Sequence, residues 1–201
     1  MERVQWSHAH FNRIQYQLLR AVNQFIVQGQ RYNNTKGDLI VNTSEEDHRF
    51  SNREGVVVAL PLGYDGPIGV GDTLLVHHNV FKYYNDMKGR QQSGRSFFRD
   101  DLFLVDFDQF YMWRSDGDWH PHDRYCFVQP IPPEDSIIFK PISEEPLMGI
   151  MRYPNDYLVS QGIESGDTVT FRPESEYEFN VDGEKLYRMF DHQITCKIQR
   201  S

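Results

Sequence analysis

Several histidines and one cysteine lie close enough in the sequence to suggest a metal site. His120, His122 and Cys126 offer two imidazoles and a thiolate, which are ligands that zinc accepts. A structural zinc ion usually needs a fourth ligand, which would have to come from His192 or Cys196, far along the chain. The spacing is therefore a weak signal, and we expect solvated imidazoles in a turn and no metal ion.

Two other groups of polar residues have simpler structural interpretations. His77 and His78 are adjacent, so on a β-strand they would point to opposite faces and could not chelate one ion together. The acidic residues Asp100–Asp101, Asp106 and Asp108 are typical of turns and exposed strand positions. The sequence has no nucleophile elbow, phosphate-binding loop or dinucleotide fingerprint. We expect a protein that is not an enzyme and uses no cofactor.

Composition restricts the class of protein further. The 201 residues carry a formal net charge of −8, which argues against general nucleic-acid binding, because such binding neutralises phosphates with Lys and Arg. No apolar run reaches the roughly 20 residues that cross a bilayer, and the first residues lack the pattern of a signal peptide. Two cysteines cannot form a disulfide framework. These features predict a cytoplasmic protein.

The most informative pattern is a sequence unit that occurs twice. Residues 68–76 contain Gly-Asp-Thr followed by apolar residues, and residues 163–171 repeat this order. Each copy follows a strand-like segment that begins with glycine, at Gly55 and at Gly149, and each leads to an apolar stretch that ends near a glutamine. Such self-similarity indicates one structural unit built twice. It favours architecture or partner binding over catalysis.

Signals around the two copies are mainly those of short strands. Turn residues separate apolar segments at Asp65–Gly66–Pro67 and at Asp182–Gly183, and the second of these predicts a tight hairpin. A strand is expected at residues 24–28. Apolar residues recur at helical spacing within residues 9–23, which is the one plausible helix. We therefore predict an all-β fold of barrels or sandwiches with a short N-terminal helix.

Two polar segments interrupt the first copy. Residues 29–54 form a long loop whose apolar cluster is Leu39–Ile40–Val41, and loops of this length are normally functional or disordered. Residues 82–100 form a second excursion, at the place where the second copy has a tight hairpin. Its candidate residues are cationic and aromatic: Tyr83, Tyr84, Lys88, Arg90 and Arg95. This segment suits a hairpin that packs on its own barrel, an altered cavity lining or, less well because acidic residues adjoin it, a single nucleic-acid strand.

The order of these motifs resembles that of the small co-chaperonins of the GroES family. The resemblance rests on the Gly-led strands, the Gly-Asp-Thr turns and the closing segment 191–198, and it covers most of residues 24–113 and 136–199. Family members are imperfect small β-barrels that assemble into a sevenfold dome over a chaperonin ring. They bind the ring through a mobile loop that carries an apolar tripeptide.

The resemblance implies how this chain is organised. Residues 1–23 would be an N-terminal extension and residues 24–114 a first GroES-like, partly open barrel that carries the mobile loop 29–54 and an enlarged roof hairpin at 82–100. Residues 115–135 would be a junction. Residues 136–201 would be a second barrel without a mobile loop, and the copies would form a ring-shaped homo-oligomer.

The resemblance also implies a function. It assigns partner binding to four residues of the loop: Gly37, Leu39, Ile40 and Val41. The expected partners are a GroEL-like chaperonin ring and an unfolded client protein. Each aliphatic side chain gains roughly 1.5–3 kcal/mol when fully buried in an apolar groove.

This sequence departs from the family pattern in its loop. Leu-Ile-Val replaces the commoner Ile-Val-Leu, and Asp38 replaces a glycine. Tandem members occur in chloroplasts and divergent ones in bacteriophages, so the cytoplasm of a bacterial host is the expected location if a phage encodes the chain. The alternative is a viral or cellular assembly protein that uses the doubled barrel for oligomerisation, without a chaperonin partner.

Overall fold

A computed structural model describes residues 21–29, 35–36, 39–40, 53–81, 83–85, 91–132 and 144–198. The described residues fall into two compact units, which divide after Asp118. Each unit is built around an antiparallel β-sheet, and the prediction of an all-β fold is confirmed. Among the described residues, no helix is long and apolar enough to span a membrane.

The first unit contains one large sheet and two small hairpins. Its strands are β1 (Phe25–Gly29), β2 (Thr35–Lys36), β3 (Leu39–Ile40), β4 (Glu54–Ala59), β5 (Thr73–Val76), β6 (Tyr83–Asn85), β7 (Gln91–Ser93), β8 (Phe97–Arg99), β9 (Leu102–Val105) and β10 (Phe110–Ser115). The large sheet has seven strands, and six of them are neighbours in the order β10-β5-β4-β1-β9-β8. β2 pairs with β3 and β6 pairs with β7, each as a separate two-stranded sheet.

The second unit contains one sheet and one short helix. The strand β11 (Asp118–Pro121) spans the division between the units. It is followed by β12 (Tyr125–Pro130), β13 (Met148–Tyr153), the helix α1 (Asp156–Ser160), β14 (Thr168–Phe171), β15 (Tyr177–Val181), β16 (Glu184–Phe190), a 3-10 turn (Asp191–Gln193) and β17 (Ile194–Ile198). Neighbouring strands follow the order β17-β14-β13-β12-β16-β15.

Six strands of the first sheet follow the same order as the six strands of the second, so each of these six has a counterpart. The seventh strand of the first sheet, β11, has none among the described strands. The shared irregularities support this correspondence. The pairing of β1 with β4 shifts register at Ile26–Val27, and the pairing of β12 with β13 shifts at the equivalent Phe127–Val128. The pairs β5–β10 and β14–β17 also contain one shift each. The sequence repeat is therefore a repeat of one six-stranded sheet.

The repeated Gly-Asp-Thr motif builds the turn that leads into β5 and β14. The side chain of Asp72 accepts a hydrogen bond from the backbone N–H of Gly69 at 2.7 Å, and Asp167 accepts one from Glu164 at 2.7 Å. The glycine before each aspartate has a φ of +100° in the first copy and +93° in the second, a region that favours glycine. Aspartates that bond to a nearby backbone N–H are typical of turns.

The shared glutamine closes a second turn. Gln109 accepts a hydrogen bond from the backbone N–H of Asp106 at 3.0 Å, and Gln193 accepts one from Phe190 at 2.8 Å. Gln109 directly precedes β10, and Gln193 directly precedes its counterpart β17. The most similar parts of the two copies are therefore structural, because they form matching turns.

Each sheet buries an apolar face in its own core. Buried side chains of the first core include Phe25, Val57, Leu74, Val76, Phe103 and Phe110. Those of the second include Cys126, Val128, Met151, Val169, Phe171 and Met189. Alternation along the strands places these residues on one face, as expected for antiparallel sheets.

The start of the second unit differs from the prediction. The expected junction 115–135 contains β12, which lies at the centre of the second sheet as the counterpart of β1. The second barrel was predicted to begin at residue 136, which lies outside the described residues. β12 ends at Pro130, where the missing N–H of proline is tolerated, and this proline-rich end resembled a linker in the sequence.

The position of β12 shows that the second unit has a long connection before β13. Residues 131–147 connect β12 to β13, as residues 30–53 connect β1 to β4. The resemblance had implied a second barrel that begins at residue 136 and has no mobile loop. Both units therefore have a long connection at the same position of the sheet.

The predicted roof hairpin 82–100 is also arranged differently. The counterpart of the β15–β16 hairpin is β8–β9, and Asp100 and Asp182 in these two turns have φ values of +52° and +51°. The hairpin β6–β7 is an additional element between β5 and β8. The insertion is thus a separate hairpin that precedes the common one.

The helix expected within residues 9–23 lies outside the described residues, except for residues 21–23, which form a β-bridge and a bend. The helix α1 was not predicted. Asn155 caps it by accepting a hydrogen bond from the backbone N–H of Leu158 at 3.0 Å. Five residues are too few to produce a helical periodicity.

Candidate partner-binding site

The connection 30–53 leaves and rejoins the first sheet at one point. Gly29 at the end of β1 is the register partner of Gly55 in β4. The connection therefore begins and ends at two neighbouring strands, β1 and β4.

Close packing explains the two glycines at its base. A Cβ on Gly29 would lie 2.5 Å from Phe81 Cε1, and a Cβ on Gly55 would lie 2.5 Å from Val27 Cγ1 and 2.7 Å from Phe81 Cζ. The Phe81 side chain is buried against the same core. Larger residues at either position would push the strands or the ring apart.

Part of the predicted tripeptide lies on the small hairpin of this connection. Leu39 and Ile40 form β3, and their register partners in β2 are Lys36 and Thr35. Gly37 and Val41, the other predicted residues, lie outside the described residues. The backbone at Leu39–Ile40 is extended and belongs to a two-stranded sheet that is separate from the large sheet of the first unit.

The connection 131–147 of the second unit is also closed at its base. Pro130 and Gly149 are register partners, and the backbone N–H of Glu145 donates to the carbonyl of Ile131 at 3.1 Å. A Cβ on Gly149 would lie 2.3 Å from Val128 Cγ1. The glycine therefore has the same packing role as Gly55.

Glu144 attaches the end of this second connection to β16. Its carboxylate lies 2.6 Å from Lys185 Nζ and accepts a hydrogen bond from the Tyr187 hydroxyl. Burial acts to raise the pKa of Glu144, but the hydrogen bonds from Lys185 and Tyr187 outweigh it and lower that pKa. The carboxylate is therefore held in its charged form.

The predicted hairpin residues are distributed between described and undescribed parts of the chain. Tyr83 and Tyr84 lie on β6, opposite Ser93 and Gln92 of β7. Lys88 and Arg90 lie outside the described residues. Arg95 is exposed in the turn before β8.

Arg95 lines an open cleft of about 530 Å³ in the first unit. The cleft lies between the turn that follows β5 and the turn that precedes β8. Its other lining residues are His77, Asn79, Val80, Gly94, Ser96, Asp108 and Gln109. One guanidinium and one carboxylate belong to a lining whose accessible surface is mostly apolar. The cleft lies in the region where the extra hairpin distinguishes the first unit.

The two adjacent histidines are not on a strand, so the prediction that they point to opposite faces was wrong. β5 ends at Val76, and the rings of His77 and His78 lie with their centroids 4.1 Å apart and their planes tilted by 32°. His77 Nδ1 accepts a hydrogen bond from the backbone N–H of Asn79 at 3.2 Å. The strict alternation of a strand does not apply in this turn.

The histidine–cysteine group shows no arrangement that would hold a metal. Cys126 is buried in the core, where burial and, to a lesser degree, the charge of Asp191 raise its pKa to about 12. A thiol with a raised pKa is a poor ligand and nucleophile. His120 is exposed on β11. In the described part of the chain, no group of three or more His, Cys, Asp or Glu side chains is placed to bind a metal ion.

A buried carboxylate in the second unit was not found from the sequence. The Asp191 side chain is 3% exposed and bonds Arg124 Nη2 at 2.7 Å and Asn155 Nδ2 at 3.2 Å. Burial acts to raise its pKa, but the hydrogen bonds from Arg124 and Asn155 outweigh it and lower the pKa. Because Asn155 also caps α1, this network fixes the helix to the end of β16.

Comparison with known proteins gave no match, either to a protein-family model or to a curated protein. The fold and the site define a class in physical terms: a duplicated six-stranded β-protein with a long connection from the same point of each sheet.

Proposed function

We propose that the protein is a co-chaperonin-like lid that binds a chaperonin ring and encloses unfolded client proteins. The observation that carries this proposal is the position of Leu39–Ile40. These residues lie on a small hairpin within the connection 30–53. The ends of this connection meet at Gly29 and Gly55 of the large sheet of the first unit. The resemblance to the GroES family places its partner-binding tripeptide in the corresponding loop.

Binding through such a segment is weak for one chain and strong for a ring. An extended apolar segment can bury its side chains in a groove of the partner, but ordering the connection costs part of the free energy gained. Several copies held in one ring multiply the contact by effective concentration. The lid therefore requires a homo-oligomer, and the chaperonin supplies ATP hydrolysis.

The experiment is size-exclusion chromatography with light scattering, on the protein alone and with a GroEL-like ring plus ADP. We expect an oligomer that comigrates with the ring. Ile40→Asp should abolish comigration, because a carboxylate cannot be buried in an apolar groove without a large desolvation cost. Circular dichroism should show the sheets unchanged.

The chain offers a matched control in its second connection. Ile138 lies within residues 131–147, and Ile138→Asp introduces the same charge there. This variant should still comigrate with the ring. A wild-type protein that ignores the ring, or an Ile40→Asp variant that binds as well as wild type, would reject the proposal.

A second candidate is an assembly protein that oligomerises without a chaperonin. The exposed edge strand β17 favours this function, since edge strands can pair with other chains. An oligomer in light scattering that never comigrates with the ring would support this candidate.

A further inference from the structure

The strand β17 has an open edge. It is the outermost strand of the second sheet and pairs on its inner side with β14. No strand in the described part of the chain pairs with its outer side, and residues 195–198 are exposed. Backbone N–H and C=O groups along such an edge can accept another strand.

β17 contains no proline and only one of the charges that usually protect an edge. Its one charged residue is Lys197, whose Nζ bonds Asp167 Oδ2 at 2.7 Å and the carbonyl of Gly162 at 2.8 Å. That charge is thus paired and directed back onto its own unit. At the opposite edge of the sheet, β15 contains the acidic residue Glu178.

The sequence of β17 is close to self-complementary in an antiparallel pair. With Cys196 at the centre, Ile194 would face Ile198 of a second copy, and Thr195 would face Lys197 of that copy. Apolar residues then oppose apolar ones, and no like charges meet. In a two-fold interface, both copies contribute the same residues to the contact.

Apolar surface adjoins this edge. A groove of about 380 Å³ lies beside β17, and the apolar half of its lining includes Tyr157 of α1, Ile163 and Ile194. Tyr157 is 55% exposed and Ile198 is 37% exposed. Covering these side chains would add apolar burial to the main-chain hydrogen bonds of a strand pair.

We propose that β17 is a self-association surface, on which β17 of a second copy of this chain pairs antiparallel about a two-fold axis at Cys196. A two-fold contact joins copies in pairs and does not by itself close a ring. The proposal is therefore independent of chaperonin binding and goes beyond the lid function.

The two cysteines provide the first test. Directly opposed residues of antiparallel strands lie within the Cα separation that a disulfide allows. Mild oxidation of the full chain with copper phenanthroline should therefore produce a disulfide-linked dimer on a non-reducing gel. Cys126 should not form this disulfide, because it is buried in the core. Cys196→Ser should therefore abolish the disulfide-linked dimer on the gel.

A displaced thiol controls for random collision. Asn180 is exposed on β15, at the opposite edge of the same sheet, so Cys196→Ser combined with Asn180→Cys keeps one exposed thiol away from β17. This variant should not form the dimer. Equal cross-linking of the displaced thiol, or no cross-linking of wild type, would overturn the proposal.

Light scattering provides the second test. Cys196→Asp would place two carboxylates opposite each other across the axis, so its self-association should be lost, whereas Cys196→Ser should associate like wild type. Position 196 is exposed, and circular dichroism should show that both variants fold. Equal masses for the two variants would overturn the proposal. A mass change without Cys196 cross-linking would overturn its two-fold form and indicate pairing with a different strand.

Discussion

Asp191 is a buried carboxylate whose negative charge is paired with the guanidinium of Arg124. Oδ1 accepts a hydrogen bond from Arg124 Nη2, and Oδ2 accepts from both Arg124 Nε and Asn155 Nδ2. A buried carboxylate is tolerated when its oxygens are hydrogen-bonded and a cation is adjacent. The residue therefore stabilises the end of β16 and, through Asn155, the start of α1.

We predict that Asp191→Asn destabilises the protein by about 1–3 kcal/mol at neutral pH. The amide has one acceptor oxygen where the carboxylate has two, so one donor loses its partner. Chemical denaturation would measure the change. Glu164→Gln, which removes an exposed carboxylate in the same unit, should change the free energy of unfolding by much less.

The difference in unfolding free energy between wild type and Asp191→Asn should depend on pH. The pKa of Asp191 is lower in the folded state than its ordinary value, so its stabilising effect is complete above the ordinary value and is lost as the pH falls through the folded pKa. The difference in unfolding free energy between wild type and Asp191→Asn should therefore shrink below about pH 4. A difference that stays constant with pH would contradict this account.

At the residue scale, the sequence contained the parts of this network but not their association. Arg124, Asn155 and Asp191 are widely separated in the chain and have no shared motif. Asn155 before an acidic residue was a local signal for a helix cap. The contact with Asp191 depends on how β16 ends beside α1, which is a tertiary property.

At the scale of elements, the glycine at the start of β4 and β13 sets the distance between central strands. At Gly149, an added Cβ would meet Val128 Cγ1 at 2.3 Å and the carbonyl oxygen of Gln129 at 2.7 Å. Backbone atoms cannot move aside as a flexible side chain can. This close approach explains why both copies have glycine at this position.

We predict that Gly149→Ala destabilises the protein by about 1–3 kcal/mol, because overpacking displaces the strand pair β12–β13. Thermal or chemical unfolding would measure it. Gly69→Ala is the matched control, since its added Cβ would meet Asp72 Oδ2 at an ordinary 3.7 Å. Equal effects of the two substitutions would show that crowding between strands is not the cause.

Elements near insertions were predicted less well than elements inside the repeat. The segment 82–100 was recognised as extra length, but the sequence could not show that it contains the separate hairpin β6–β7 before the common hairpin β8–β9. Length differences between repeats locate an insertion only approximately. Strand pairing decides which hairpin is the additional one.

At the scale of the whole molecule, the duplicated strand order predicts two protected regions in hydrogen exchange. β1 and β4 in the first sheet, and β12 and β13 in the second, have strand partners on both sides. Their amides should exchange most slowly, whereas those of the edge strands β8 and β15 should exchange sooner. Mass spectrometry of the full chain would measure this pattern, and a single protected region confined to one unit would contradict it.

By itself, the sequence determined the all-β class, the existence of two related units and most strands inside the repeat. These features depend on local alternation and on turn residues such as Asp72 and Asp167, which act within a few positions of the chain. Only the tertiary structure showed that β12 is the central counterpart of β1, that both units have a long connection and that β17 is the outermost strand of the second sheet. Those properties depend on which strands pair, and pairing joins residues whose separation in the chain leaves no local signal.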